Sequence, residues 1–547
     1  MKTKNILFTV LLILFLLVIS LTIFAKHPGY HCTNVAVGKE ATVDGSAMIF
    51  QNFDTNLGDQ RMWLFPSADY PEGAMRDIVV GGDMYVDYTS LVEERHPIPV
   101  TYYPEVTAYG EGGTSQAHKV GEIPQAPHTF AYLYGGSASI NEKGVAIALS
   151  THNPTWSPNC TEHGQEVWRI MGEESPGIID IYTAQNIAME RATTAKEAVR
   201  IIGDLIEEYQ WYGKTWGGES VPITDGDEIW VMEIYGRDIW VAIKIPDDHF
   251  YVSGNMARIR EIDLEDKDKV MYSPNLVSFA VEQEWYDPNS GTPFYPADIY
   301  SPRFEPNLRE WRALDIVAPS LNLDSDELYQ PYSVKPDYKL SVYDLFKIQG
   351  DSLQGTKYDL TNTPGSGDWG NPLLEWEGKP RAINVRSTAN HYVCQVKAGL
   401  PDAIKGICWA GFGAPDSSYH TPLWASMKGI PKSYYTGVKE LEDFRWDSTW
   451  WINLLVQDVV ERRYSKAIED LYAFRDPKLN MLYEITPKVQ ELAASIYETD
   501  PKKAINLIHH FAYNNAVAMN EEWKKLAKKL LGKYTLGMVL GSEEASW

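Results

Sequence analysis

The run Cys32-Thr33-Asn34-Val35-Ala36-Val37-Gly38-Lys39-Glu40-Ala41-Thr42-Val43-Asp44-Gly45-Ser46-Ala47-Met48-Ile49-Phe50 reads as a β-hairpin. Residues 33–37 alternate, residues 40–45 carry turn chemistry, and residues 47–50 are a second apolar run. The hairpin opens on a cysteine seven positions beyond an uncharged apolar stretch at residues 6–25. A cysteine heading a strand just after a removable leader becomes the first residue once the leader is cut. Its thiol then shares one residue with a free α-amine, a nucleophile together with its own base.

Lys2 and Lys4 precede the apolar stretch, the charge pattern of an export signal. Ala25 offers a small residue for signal peptidase, with Ile23 at the −3 position. At 20 residues the stretch also has the length that spans a bilayer, so an uncleaved anchor is the alternative. Residues 1–25 are therefore expected to be a signal peptide or anchor, and residues 26–31 a propeptide. The remainder is expected outside the cytoplasmic membrane (extracellular, periplasmic or at the cell surface), meeting lipid only through its leader. Gly29-Tyr30-His31 lacks the pattern of a lipid-attachment site.

A net charge of −25 argues against a nucleic-acid partner, because phosphate binding needs a basic face. Hydrophobic residues make up 44% of the 547, with 18 Trp and 33 Tyr, enough for a large core. Four cysteines are too few for a disulfide scaffold, although Cys394 and Cys408 lie in strand-like runs and can pair under oxidising conditions. The 12 histidines are scattered without a His-Glu-x-x-His motif, so neither a metal nor another cofactor is expected. Asn159-Cys160-Thr161 is a glycosylation sequon. Nothing in the sequence specifies an oligomer, and a homo-oligomer is compatible with it.

Beyond the first hairpin, residues 139–150 predict another strand pair around the turn at 141–144. Residues 178–191 and 195–212 predict amphipathic helices, the second with a capping box at Thr194 and Glu197. Residues 228–245 read as a hairpin, 272–336 as long loops with short helices, and 382–396 and 403–409 as strands. From Asp447 to about Gly532 the pattern is helical, with Asp500-Pro501 a helix start. The expected class is α+β, a layered αββα sandwich, with a catalytic unit at 32–446, a helical region at 447–535 and a tail at 536–547.

An N-terminal cysteine needs a carboxylate to orient its amine and amide donors for the oxyanion. Asp54, on the second strand of the first hairpin, can supply the first; Asn141 and Asn255 can supply the second. Each also has a plainer reading. Asp54 can end a strand, and Asn141 and Asn255 both sit where turns favour asparagine.

Several blocks occur together in order: Gln51-Asn52-Phe53-Asp54, Asn141-Glu142-Lys143-Gly144-Val145, Asp225 with Glu228, Trp230 and Glu233, and Gly355-Thr356-Lys357-Tyr358-Asp359. With them the chain resembles the cysteine dipeptidase family of N-terminal nucleophile hydrolases, which includes the secernins; choloylglycine hydrolases are more distant cousins. The resemblance implies a four-layer αββα sandwich, loss of a short propeptide and metal-free hydrolysis of dipeptides or small peptides. It implies Cys32 as nucleophile, Asp54 as partner of its amine, Asn141 and Asn255 as oxyanion or positioning amides, and Arg309 as electrostatic support, with Arg303 and Arg312 close by in sequence. Two departures stand out. Gln51 replaces an arginine, so a cation near the thiol must come from elsewhere, and Gly350-Asp351-Ser352 replaces Arg-Asp-His. An N-acyl amide hydrolase, or a catalytically silent surface protein on the same scaffold, are the alternatives.

Overall fold

The computed structural model describes residues 32–55, 61–80, 118–135, 137–152, 160–212, 217–376, 378–436 and 444–534. The expected leader, the propeptide, Asn159 of the sequon and the tail lie outside the described residues.

In chain order the strands of the two large sheets are β1 (Thr33–Val37), β2 (Ala47–Asp54), β3 (Trp63–Phe65), β4 (Tyr132–Tyr134), β5 (Ala138–Asn141), β6 (Ala146–Ile147), β7 (Ser150–His152) and β8 (Gly218–Thr224). They continue with β9 (Ile229–Gly236), β10 (Ile239–Ile245), β11 (Phe250–Ser253), β12 (Val270–Tyr272), β13 (Ser333–Val334), β14 (Thr388–Val396), β15 (Gly406–Phe412) and β16 (His420–Leu423). Seven form one sheet in the order β13-β11-β1-β2-β14-β15-β16. Nine form the other, in the order β12-β10-β9-β8-β6-β5-β4-β3, with β7 also paired to β8.

The hairpin read from residues 32–50 is β1 and β2, antiparallel with Thr33 opposite Asn52 and Val37 opposite Met48. It sits inside the seven-stranded sheet, flanked by β11 and β14. Polar bonds join the inner faces of the two sheets. Asn34 Nδ2 donates to Ser150 Oγ at 3.1 Å and Ser220 O at 3.0 Å, and Tyr392 donates its hydroxyl to Ile147 O at 2.9 Å. Apolar contacts fill the rest of the interface, among them Ile49, Leu133, Ile140 and Val231.

Helices α1 (Ile181–Arg191) and α2 (Ala195–Tyr209) cover the nine-stranded sheet, burying Ile187, Val199, Ile202 and Ile206 against Val221, Ile223, Trp230 and Met232. Thr194 caps α2 by accepting from Glu197 N, but Glu197 reaches back to Thr193 rather than to the cap residue, so the expected capping box is only half formed. Over the seven-stranded sheet lie α3 (Leu308–Val317), α4 (Val342–Gln349), α5 (Thr449–Glu461), α6 (Tyr464–Tyr497) and α7 (Pro501–Tyr534). The class is α+β with a helical C-terminal part, layered helix, sheet, sheet, helix.

The C-terminal helices share the core of the seven-stranded sheet: Ile452, Val456, Ile508 and Trp523 belong to the same buried cluster as Val393 and Ala410. Asp500 caps α7 through Lys503 N. No helix among the described residues is long and apolar enough to cross a membrane.

Candidate active site

Cys32 stands at the head of β1, 1% exposed. Its carbonyl accepts Arg309 Nη1 at 2.7 Å, and the same nitrogen donates to Thr33 Oγ1 at 3.2 Å and Asn255 Oδ1 at 2.9 Å. Arg309 reaches there from the first turn of α3, whose N-cap is Asn307. Asn307 Nδ2 and Arg309 Nη2 both donate to Gly254 O, which fixes the Ser253-Gly254-Asn255 turn after β11. A Cβ on Gly254 would lie 2.7 Å from Asn307 Oδ1, so only glycine lets the helix end approach this closely. Asn255 follows in the left-handed region at φ 67°, a conformation asparagine tolerates. Its Nδ2 donates to Thr151 O at 2.6 Å.

Asp54 ends β2 and is buried. Thr388 donates to its Oδ1 at 2.6 Å, and Arg381 to its Oδ2 at 2.7 Å. Burial nevertheless raises its carboxyl above the usual range, with Arg381 and Thr388 opposing. Burial also raises the Cys32 thiol, followed by the negative charge of Asp54, while a hydrogen bond from the Asp54 main chain and the charge of Arg309 act the other way. Arg309 is itself lowered to about 9, chiefly by burial and then by Arg381. Two guanidinium groups thus stand near a thiol and a carboxyl in one buried pocket of charge.

Four of the five residues singled out from the sequence meet here: Cys32, Asp54, Asn255 and Arg309. Arg303 and Arg312 do not. Arg303 is bonded to Glu310, and Arg312 to Asp351.

Asn141 is the correction. Its Nδ2 donates to Met189 O at 3.0 Å and Ala192 O at 2.9 Å, while its Oδ1 accepts from Lys143 N and Val145 N. It ties the β5–β6 turn to the end of α1. That turn is also at the wrong end of the sandwich. Gly144 and Ile140 pack on Gly406, which pairs through Val396 to Ala47, whereas Cys32 lies at the Phe53 end of β2. Six residues of strand, about 20 Å, separate the two ends.

Sequence reasoning missed Arg381 and Thr388. The only signal for Arg381 was a gap: Gln51 in place of arginine leaves a cation to be found. Gln51 is buried, with Oε1 accepting from Leu149 N at 2.9 Å and the Tyr392 hydroxyl at 2.7 Å. Cys394 and Cys408 are directly opposite on β14 and β15, and both are free thiols. Among the described residues no group of His, Cys, Asp and Glu side chains could hold a metal ion.

Residues 121–476 match the sequence profile of peptidase family C69. A probable dipeptidase of Latilactobacillus sakei is 25% identical over 449 residues, 79% of this chain and 81% of that protein. Dipeptidase A of Lactobacillus helveticus is 23% identical over 505 residues, 89% of this chain and 95% of its own. A probable dipeptidase of Salmonella dublin is 26% identical over 404 residues, 73% and 81% of the two chains. With a family match over most of its length, and Cys32, Asp54, Asn255 and Arg309 gathered at one site, the chain belongs to peptidase family C69.

Proposed function

We propose that this protein is an exported cysteine dipeptidase whose nucleophile is Cys32, unmasked by removal of residues 1–31. The observation that carries the reading is the convergence of Arg309, Asn255 and Asp54 on Cys32, the residue just ahead of β1. In the unprocessed chain the thiol is buried beside a carboxyl and held protonated. Cutting before Cys32 supplies the missing base, an α-amine with a pKa of about 8, on the same residue.

The amine takes the thiol proton, and the thiolate attacks the single peptide carbonyl of a dipeptide. A side-chain amide has two hydrogens. Asn255 gives one to Thr151 O, which leaves the other for the oxyanion. The amine then passes its proton to the departing amino group, and the first residue of the substrate remains as a thioester on Sγ. Water gives a proton to the same amine, attacks the thioester, and releases the acid with the thiol restored. Asp54, held by Thr388 and Arg381, orients the amine. The names of the similar proteins support the dipeptide as substrate class, and Lys2 and Lys4 ahead of the apolar stretch support export.

Intact-mass analysis combined with a dipeptide panel tests the proposal. Active protein is expected to begin at Cys32, and Cys32→Ala to lose hydrolysis. Active protein that still carries residues 1–31, or undiminished hydrolysis by Cys32→Ala, overturns it.

A further inference from the structure

Glu219 is a buried acid that the mechanism above does not use. It lies on β8 opposite Thr151 of β7 and is fully buried. Its Oε1 accepts from Thr151 Oγ1 at 2.7 Å, while its Oε2 is buried without a hydrogen-bond partner. A buried carboxylate with no cation is costly, by several kcal/mol, and a buried oxygen with no donor adds to that. Burial accordingly pushes this carboxyl well above its usual range, with the Thr151 hydrogen bond opposing and the nearby charge of Asp180 adding to the rise.

The position is wired to the nucleophile. Thr151, which holds Glu219 through its hydroxyl, accepts Asn255 Nδ2 on its carbonyl at 2.6 Å. Asn255 accepts Arg309 Nη1 at 2.9 Å, and Arg309 donates to the Cys32 carbonyl at 2.7 Å. Glu219 is also close enough for its charge to raise the Cys32 thiol. Asp54, the other acid that acts on this thiol, already has Thr388 on one oxygen and Arg381 on the other. Next to the Thr151–Glu219 pair, His152 pairs with Gly218, and both line a partly open recess with Tyr235 and Tyr300.

We propose that Glu219 is the subsite for the α-ammonium group of the substrate. The inference rests on the dipeptidase reading. In a dipeptide the ammonium nitrogen is one carbon away from the attacked carbonyl carbon, about 2.5 Å. Whatever holds it must therefore stand near the thiol, and among the described acids that act on this thiol Glu219 is the one with an unpartnered oxygen. The ammonium supplies the cation that the chain withholds. As it docks, the carboxyl releases its proton to solvent and becomes its charged partner. A substrate with an acylated amine brings no such partner and leaves Glu219 protonated. Selection for a free amino terminus follows from this one group.

Two measurements on the processed enzyme test it. The first compares kcat/KM for a dipeptide and for its N-acetyl form. The parent is expected to prefer the free amine by about 100-fold or more, and the isosteric Glu219→Gln to lose most of that preference through KM for the free amine. The second titrates the parent calorimetrically at pH 7, in buffers of different ionisation enthalpy, with an uncleavable hydroxyethylene isostere of the dipeptide and its N-acetyl form. More proton release is expected with the free amine than with the acetylated ligand, because the ammonium favours the charged form that burial of Glu219 disfavours. This readout holds even if Glu219→Gln fails to fold. Hydrolysis of the dipeptide with the preference intact in folded Glu219→Gln, or equal proton release for both ligands, overturns the subsite alone. Cleavage of only the acetylated substrate overturns the dipeptidase reading and the subsite with it.

Discussion

Arg381 and Arg309 bring two guanidinium groups to Asp54 and Cys32, where Gln51 brings no charge. Arg309 holds the Cys32 carbonyl and the side chains of Thr33 and Asn255 through one nitrogen. Arg381 pairs with the carboxylate of Asp54. The two roles separate in a pH profile. Asp54 is raised by burial and opposed by Arg381, so removing the guanidinium moves the carboxyl further up and a higher pH is needed to ionise it. Arg381→Met is therefore expected to shift the acid limb of kcat/KM to higher pH, by about one unit or more for a partner at hydrogen-bonding distance, with Arg381→Lys restoring part of the shift. An unmoved acid limb in Arg381→Met would show that Asp54 does not set it.

At the scale of elements, the β5–β6 turn decides between two readings of Asn141. Its amide makes four bonds to main-chain groups of the turn and of the end of α1. Replacing it by alanine leaves those buried groups unmet, at about 1–3 kcal/mol for each group that finds no other partner. Asn141→Ala is expected to lower the denaturant midpoint clearly while kcat/KM of the folded fraction stays within two-fold. A large fall in kcat/KM at unchanged stability would return Asn141 to the catalytic site. The asparagine was legible in sequence as a turn residue and as part of a family block, and nothing local shows which end of a strand faces the nucleophile. The hairpins were legible for a related reason: β1 alternates and is followed by turn residues and the apolar run of β2, and β9–β10 are two apolar runs around Tyr235-Gly236-Arg237-Asp238, which are local signals. Arg381 carries no local signal, because it meets Asp54 across 327 residues of chain.

Across the whole molecule, the helical region that reads as a separate segment from residue 447 closes over the seven-stranded sheet, because α5 and α7 bury their apolar faces in the same core as β14 and β15. Sequence periodicity shows that these helices have such a face; only the fold shows what it meets. Under that layer two histidines are sealed without charge. Burial, with Arg475 nearby, holds His391 down to about 3 and His420 well below its ordinary range. His152, between the β7 end and Tyr235, is likewise lowered to about 3 by burial. An unfolded histidine titrates near 6.5. Between 6.5 and 3 the unfolded chain therefore binds protons that the folded chain refuses, so each histidine contributes stability above 6.5 that drains away as the pH falls. Glu233 acts in the opposite sense. Burial raises it to about 7, so its contribution to stability weakens as pH rises from about 4.5 to 7. The net pH dependence mixes both signs, and a single substitution separates them. His391→Gln removes one titrating group of the first kind. Between pH 7 and pH 5 it is expected to lose about 2 kcal/mol less stability than the parent, measured as the difference in unfolding free energy from urea titrations at the two pH values. Equal losses in parent and variant would mean that His391 accepts its proton in the folded state, and the sealed core over β14 would have to admit a charge.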